Sequence, residues 1–369
     1  MNNAFQKDQA ALLLEQVEKG RISRRRFTQA VAAMFAVPAG LGAKMSFAQA
    51  RQLVLVNWGG DAMTAYDEAY GKPFQEETGI RVVEDGSGPT EGALRAQAQS
   101  GNVTWDVVDA DPFSAIALGK EGVVQPIDYS IVDKSKFREG FGWEHATSAY
   151  FFSFVIAYNA TKYETPPSSL ADFFDVEKFP GNRAMYKWGV SSWEAALLAD
   201  GVARDALYPL DIERAHAKLA AFKENVSVFW GGGAELQNAL LTGEADMAIA
   251  WNTRAKVVEA DTGGDVKYIW DDGLLQPASF AVMANNPGGT EPAMQLLAAM
   301  QVPERQLVMF EMLGQGPANP AADALIAEED KRHNCVDPEN MAKQIPLDME
   351  WYAENYGAAL DAYLSVISA

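Results

Sequence analysis

The pattern that most constrains the fold is an alternation of short apolar runs with stretches of helical spacing. The first runs are Leu53–Trp58, Ile80–Glu84 and Trp105–Asp109. Each is separated from the next by a segment whose apolar residues recur as in an amphipathic helix. Further runs at Phe151–Tyr158 and Ala245–Trp251 continue the pattern. This strand–helix–strand order predicts an α/β chain with a largely parallel sheet covered by helices.

The first fifty residues differ in composition from the rest. They carry seven basic and three acidic residues, a charge of +4 in a chain whose total is −20. Three arginines at positions 24–26 precede the apolar stretch Ala30–Ala43, which is too short to span a bilayer. This order is typical of a secretory signal, and the arginines resemble the twin-arginine export motif. We expect residues 1–50 to be an export signal recognised by the twin-arginine translocase, and a periplasmic location.

The chain beyond this segment is strongly acidic. Removing the +4 of the first fifty residues from the total of −20 leaves −24 on residues 51–369. Nucleic acid is not an expected partner, because binding to phosphates requires clustered Lys and Arg. The acidic surplus has two interpretations, a soluble surface that repels its own copies or a cationic ligand.

Neither a metal site nor a catalytic constellation is visible in the sequence. The chain has one cysteine, Cys335, and three histidines that lie far apart. This leaves no metal-ligand spacing and no nucleophile–base pair. We therefore expect no metal, no cofactor and no enzymatic activity.

Tryptophans gather at the predicted strand ends. Five of the nine follow apolar runs: Trp58, Trp188, Trp193, Trp230 and Trp251. In open α/β sheets, ligands bind beyond the carboxyl ends of the strands. Aromatic walls with a few polar groups are typical of small-molecule sites, and such walls attract cations. Core packing explains each tryptophan taken singly, whereas the group favours a cleft.

Several short stretches, taken in chain order, carry a family resemblance. They are Leu55-Val56-Asn57-Trp58, Phe74–Ile80, Lys120–Asp128, Ala157-Tyr158-Asn159, Gly243–Asp246 with Ala250-Trp251-Asn252, and Gly314–Asn319. Together they resemble the periplasmic solute-binding proteins of ABC transporters, and most nearly the spermidine/putrescine-binding family.

The resemblance implies a fold and a set of partners. The fold is the type II periplasmic-binding fold, an α/β architecture of two lobes with mixed or parallel sheets covered by helices and two crossing hinge strands. Lobe 1 would comprise residues 51–158 plus 284–369, and lobe 2 residues 159–283. A monomer would hold a small polar ligand between the lobes and dock on a membrane permease. The ligand would be a polyamine such as putrescine or spermidine, or a related amine.

The resemblance also implies where the ligand is held. Trp58 and Trp251 stand where the polyamine binders place aromatic walls. Asp111 and Phe113 fall in a loop that carries hydroxyl and aromatic contacts in that family. The candidate ligand-binding residues are Trp58, Asp61, Asp111, Phe113, Trp188, Ser191, Trp251, Asn252 and Arg254.

This chain departs from the polyamine pattern at the amine contacts. The family's acidic residues align with Trp188, Ser191 and Ala278, none of which is acidic. The sequence leaves two interpretations of this departure. In one, the missing acidic residues are replaced by the carboxylates of Asp61, Asp109 and Asp111. In the other, Arg254 binds a carboxylate or another anion together with Ser191 and Ser192. Two further alternatives are a ferric-iron carrier of the same fold, using Tyr186 and Tyr208, and an exported hydrolase.

Overall fold

The computed structural model describes residues 52–368. The predicted export signal, residues 1–50, lies outside the described residues. Within the described part of the chain, no helix has both the length and the apolar character that crossing a membrane would require.

Eleven strands in the described residues form one sheet. They are β1 (Gln52–Val56), β2 (Arg81–Asp85), β3 (Val107–Ala110), β4 (Val124–Gln125), β5 (Thr147–Asn159), β6 (Arg183–Tyr186), β7 (Val226–Trp230), β8 (Met247–Trp251), β9 (Val266–Met283), β10 (Gly316–Pro317) and β11 (Ile345–Pro346). The main path runs β2-β1-β3-β9-β5-β8-β6-β7. The short strands β4 and β11 pair with β9, and β10 pairs with β5.

Helices cover the sheet. They are α1 (Asp61–Tyr66), α2 (Lys72–Thr78), α3 (Glu91–Ser100), α4 (Pro112–Lys120), α5 (Leu170–Phe174), α6 (Ser192–Ala199), α7 (Ile212–Phe222), α8 (Gly233–Leu241), α9 (Asn252–Asp261), α10 (Thr290–Ala299), α11 (Pro303–Leu313), α12 (Pro338–Met341) and α13 (Met349–Ser368). Short 3-10 turns occur at Lys134–Lys136, Arg204–Ala206, Lys223–Asn225, Pro320–Leu325 and Glu328–His333.

The sheet is mixed, which corrects the prediction of a largely parallel one. β1 pairs in parallel with β2 and β3, and β6 pairs in parallel with β7 and β8. Between these groups, β9 runs antiparallel to β3 and to β5, and β5 runs antiparallel to β8. The predicted α/β architecture with two long crossing strands is confirmed.

The crossing strands are longer than their apolar runs predict. β5 has 13 residues and β9 has 18. They pair from Thr147 opposite Phe280 to Asn159 opposite Val266, with shifts of register on the way. The sequence predicts only residues 280–284 of β9 as strand, because the polar and turn-forming residues that precede them interrupt its apolar pattern. Cross-strand pairing with β5 overrides that local preference.

Most predicted helices begin and end where their capping residues indicate. The Thr90 hydroxyl accepts a hydrogen bond from the backbone of Ala93 at the start of α3, and Gly101 (φ 68°) ends the helix. The helix predicted from Met63 to Thr78 contains a π-helical segment, Asp67–Gly71, between α1 and α2.

The sequence predicts Ser192 as the N-cap of a helix from Trp193 to Gly201, and this prediction is wrong. Ser192 is the first residue of α6, whereas Ser191 precedes the helix with a left-handed φ of 72°. The chain reaches Ser191 through a tight turn at Gly189 (φ 79°), where a side chain would overlap the ring of Trp193. Packing of this turn beneath Trp193 therefore moves the start of the helix by one residue.

The apolar core falls into three clusters. Two lie among residues 53–149 and 278–309. The third joins residues 151–275 to the C-terminal helix α13 through Tyr352 and Tyr363, and also includes Phe113 of α4. The C-terminal helix therefore packs both against α4, which precedes β5, and against elements that follow β5.

Candidate ligand-binding site

Aromatic side chains gather where three neighbouring strands end. Tyr186, Trp230 and Trp251 are the last residues of β6, β7 and β8, which pair in parallel around β6. The Tyr186 ring lies 4.5 Å from Trp230 and 5.5 Å from Trp251, and the two indoles are 4.9 Å apart. Phe152 and Phe154 of β5 add rings 6.2 and 6.5 Å from Trp251. We call these five residues the aromatic box.

The carboxylate of Asp111 lies beside the aromatic box, although it follows β3, which is separated from β5 in the sheet by β9. Asp111 follows β3 and precedes α4. The side-chain amide of Gln276 donates a hydrogen bond of 2.7 Å to Asp111 Oδ1. Gln276 is the register partner of Phe152 in the antiparallel β5–β9 pair, so both side chains project on the same face. Asp111 therefore lies at the edge of the box.

Burial changes the ionisation of this carboxylate. It raises the pKa of Asp111 to about 7; the nearby charge of Glu91 raises it further, while the hydrogen bond from Gln276 opposes the rise. The charge of Asp111 in turn helps to raise the pKa values of Tyr186 and Tyr356, although burial is the larger cause for both. The Asp111 carboxylate and these two phenols thus share one environment.

Helix α13 closes the site beside Asp111. The Tyr356 ring lies 4.8 Å from the ring of Phe113, and its hydroxyl donates to the carbonyl of Trp188 at 3.2 Å. Glu91 is held by Ser114 Oγ at 2.7 Å and by Arg95 at 2.8 Å. The acidic side of the site is therefore built from α3, α4 and α13.

Several buried polar atoms near the box have no hydrogen-bond partner among the described residues. They are Trp230 Nε1, Trp251 Nε1, Gln276 Oε1 and Ser191 Oγ. An unpaired buried donor or acceptor costs about 1–3 kcal/mol, so native proteins rarely leave several together. Two indole donors and an amide acceptor in one place are suited to a polar ligand.

Arg254 supplies a positive charge from the first turn of α9. Its Nη1 lies 3.9 Å from Asp61 Oδ2. The guanidinium also lies against Gly233, where a Cβ would overlap Nε. Gly233 begins α8, so the guanidinium and the positive end of that helix dipole are close together. Both favour an anionic group such as a carboxylate.

Two predicted tryptophans lie outside the box. Trp58 is 53% exposed, on a loop where Gly59 adopts a φ of 72°. Trp188 is 37% exposed, and its indole N–H donates to the carbonyl of Gly231 at 3.2 Å. Both tryptophans therefore lie on accessible loops.

Four other predicted site residues have different surroundings. Phe113 is buried against Tyr352 at 5.4 Å. Asn252 is fully buried; its oxygen accepts from the backbone N–H of Ser153 at 2.8 Å and its amide donates to the carbonyl of Gly314. Ser191 is buried at the start of α6, and Asp61 is exposed.

The remaining candidates are engaged by the protein. Asp109 is buried and accepts hydrogen bonds from the hydroxyls of Tyr66 at 2.7 Å and Tyr150 at 3.2 Å. Tyr208, suggested for iron, donates to Glu194 at 2.7 Å. Among residues 52–368, no group of three or more His, Cys, Asp or Glu side chains comes together to hold a metal.

The chain matches known proteins over most of its length. Residues 69–334 match the model of the bacterial extracellular solute-binding protein family. The chain is 30% identical over 314 residues to the gamma-aminobutyric acid-binding protein of Pseudomonas aeruginosa, spanning 84% of this chain and 88% of that protein. It is 24% identical over 299 residues to the spermidine/putrescine-binding periplasmic protein of Escherichia coli, spanning 79% and 84%.

A solved structure extends this likeness to three dimensions. A GABA receptor matches with a TM-score of 0.79 and 32% identity, covering 86% of this chain and 97% of that one. The type II periplasmic-binding fold expected from the sequence is thereby confirmed, and these relatives are solute-binding proteins rather than enzymes. The chain belongs to the bacterial extracellular solute-binding proteins, the extracytoplasmic substrate-binding components of ABC transporters.

Proposed function

We propose that this protein captures a small amino acid whose amine and carboxylate are well separated, of the γ-aminobutyrate (GABA) type, and delivers it to the permease of an ABC importer. The relatives named above that bind GABA support this choice. The protein would act in the periplasm as a non-enzymatic monomer, after export of the folded chain by the twin-arginine translocase.

One observation carries the proposal: a half-buried carboxylate is hydrogen-bonded to Gln276 beside the aromatic box, and a guanidinium lies in the first turn of the helix that follows Trp251. Asp111, with Gln276 beside it, suits an ammonium group. Arg254 lies three residues after Trp251, in the first turn of α9, and it suits a carboxylate. A zwitterion with charges at its two ends satisfies both, whereas a diamine leaves Arg254 facing a second positive charge.

A polyamine is the second candidate. It is favoured by the carboxylate of Asp111, whose pKa the charge of Glu91 helps to raise, and by the spermidine/putrescine-binding relative. Glu91 is already engaged by Arg95 and Ser114. This leaves Asp111 as the main carboxylate for a second amine, which weakens the case for a polyamine.

Closure of two lobes would enclose the ligand. The lobe boundaries predicted at residues 158/159 and 283/284 fall at opposite ends of the antiparallel β5–β9 pair, so they do not share one hinge. We instead place the hinge near Phe151 and Pro277, which face each other where the core clusters divide. Residues 53–149 and 278–309, which share two core clusters, would belong to lobe 1, and residues 151–275 to lobe 2. Helix α13 would contact both lobes, because it packs against α4 of lobe 1 while Tyr352 and Tyr363 lie in the cluster of lobe 2. Ligand contacts from both lobes would favour the closed form.

Native mass spectrometry of the protein purified from its own periplasm tests the proposal. Binding proteins that retain their ligand carry its mass. A retained species with the mass of a small amino acid supports the proposal. A mass matching putrescine or spermidine supports the polyamine alternative, and turnover of a test substrate would indicate an exported hydrolase instead.

A further inference from the structure

Gln276 occupies a position that sequence patterns do not single out. It lies in the middle of β9 and is 2% exposed. Its Nε2 donates to Asp111 Oδ1 at 2.7 Å, while its Oε1 has no partner among the described residues. The opposite amide orientation would place two oxygens face to face, so the carboxylate fixes Oε1 as the free atom. An oriented, buried acceptor is thus held beside a half-buried carboxylate.

The aromatic box alone does not distinguish between kinds of ammonium ion. Ring faces attract any cation, including quaternary ammonium groups that carry no N–H. The rings of Tyr186, Trp230 and Trp251 lie within 5.5 Å of one another and would serve a methylated amine as well as a primary one. Discrimination must therefore come from the polar atoms around the box.

A primary ammonium has three N–H donors, and a trimethylammonium has none. Against a trimethylated ligand, Gln276 Oε1 would stay buried and unpaired. Unpaired buried polar groups are penalised more strongly than an imperfect apolar contact. The acceptor oxygen of Gln276 therefore disfavours a trimethylammonium group and favours a primary ammonium group.

We propose that Gln276, oriented by Asp111, makes this site selective for primary ammonium groups over quaternary ones. Gln276 is a specificity-determining residue, because its Oε1 accepts a hydrogen bond from an N–H group of the ligand. The inference rests on the proposed function, because it requires that the ammonium group of a GABA-type ligand be bound in the aromatic box.

Calorimetric titration of the unaltered protein gives the first test, without a variant that might misfold. GABA and its N-methyl, N,N-dimethyl and N,N,N-trimethyl derivatives are compared at about pH 8.5, where Asp111 is ionised. The expected result is a loss of affinity at each methylation, reaching at least about a hundredfold for the trimethyl compound. Equal affinity for GABA and the trimethyl compound would overturn the inference.

Gln276→Met tests the residue itself, because it keeps the side-chain length and removes the amide. The expected result is at least a tenfold drop in the ratio of GABA to trimethyl affinity. If the substitution also weakens the attraction of Asp111 for cations, both GABA and the trimethyl compound bind less tightly, and the ratio of their affinities stays the same. Ser279→Ala is the matched control, since Ser279 is buried on the same strand and its hydroxyl donates to the carbonyl of Ala110 at 2.7 Å.

The outcomes separate this inference from the proposed function. A ratio that falls in Gln276→Met and persists in Ser279→Ala supports the role of Gln276. A ratio that persists in both variants, while GABA still binds, overturns the inference alone. If the unaltered protein binds none of the four compounds, the proposed function fails and the inference fails with it.

Discussion

Arg254 Nη1 lies 3.9 Å from Asp61 Oδ2, joining the first turn of α9 to the first residue of α1. The Asp61 side chain is 84% exposed and that of Arg254 is 22% exposed. An ion pair with such an exposed partner contributes little stability, about 0–1 kcal/mol. Arg254 therefore remains available to a ligand carboxylate that approaches from the aromatic box.

Replacing Arg254 should separate zwitterions from diamines. We expect Arg254→Ala to weaken GABA binding at least tenfold, because a hydrogen bond to a charged group contributes about 1.5–3 kcal/mol. Putrescine, which has no carboxylate, should bind no more weakly than before. Titration calorimetry with both ligands measures the difference.

Arg332→Ala is the matched control for that experiment. The Arg332 side chain is 63% exposed and pairs with Glu259. Replacing it removes the same positive charge as replacing Arg254. If it weakens GABA binding as much as Arg254→Ala does, the effect is one of net charge and Arg254 does not contact the ligand.

Replacing Trp251 should remove one wall of the aromatic box. A cation–π contact in a desolvated site contributes up to about 2 kcal/mol, so Trp251→Ala should weaken binding of an amine by roughly five- to thirtyfold. Fluorescence or calorimetric titration measures this change. Trp351→Ala serves as the control, because Trp351 is half-buried on α13, packed against Tyr352 at 5.2 Å. Unchanged affinity in Trp251→Ala would assign its indole to the core.

Amine binding should strengthen as the pH rises through about 7. Asp111, whose pKa is raised to about 7, is protonated below this pH and attracts a cation only when ionised. The charges of GABA itself stay constant from about pH 5.5 to about 8.5. Affinity should therefore fall by up to about tenfold per pH unit below 7.

Asp111→Asn provides the comparison for this pH dependence. The variant should bind more weakly at pH 8 and show a flatter profile, with Glu91 and Asp109 as the remaining nearby carboxyls. An identical slope in the variant and the unaltered protein would mean that another group governs the titration.

Stability without ligand should change with pH in the opposite direction. Burial raises the pKa of Asp109 to about 7, so the folded protein holds that proton more tightly than the unfolded chain. The stabilisation is complete below about pH 4 and is lost as the pH rises through about 7. Burial also raises the pKa of Glu84, to about 8, with the same sign. The melting temperature should therefore increase from pH 8.5 to 6.5.

The slope of that increase identifies the group. One carboxyl changes the free energy of unfolding by at most about 1.4 kcal/mol per pH unit. Asp109→Asn should reduce the slope between pH 8.5 and 6.5. Asp128→Asn should not, because hydrogen bonds from Ser130 lower the pKa of Asp128 and it stays ionised throughout. If Asp109→Asn leaves the pH dependence of stability unchanged, a group other than Asp109 is responsible for it.

Much of the fold follows from local sequence signals. The helix over Glu91–Ser100 and the strands that begin near Leu53 and Met185 are all predicted, because caps, turns and apolar runs agree there. The antiparallel course of β9 is not, since its first half contains Asp271 and Asp272 and is ordered by pairing with β5. Long-range pairing has no local sequence signature.

The site is predicted only where its residues directly follow strands. Asp111 and Trp251 were found in this way and lie at the aromatic box. Gln276 was missed because it lies mid-strand and only its register with Phe152 places it there. Tyr356 was missed because it is one aromatic residue on a long helix. The exposure of Trp58 follows from the turn at Gly59, which a list of strand ends does not describe.

Competitive calorimetry of the purified protein with GABA, putrescine and spermidine at about pH 8 tests the central claim most directly. The proposed pairing of Asp111 with the ligand's ammonium and of Arg254 with its carboxylate predicts binding of one GABA per chain, at least tenfold tighter than either polyamine. Tighter binding of putrescine or spermidine, or no heat with GABA, would contradict it.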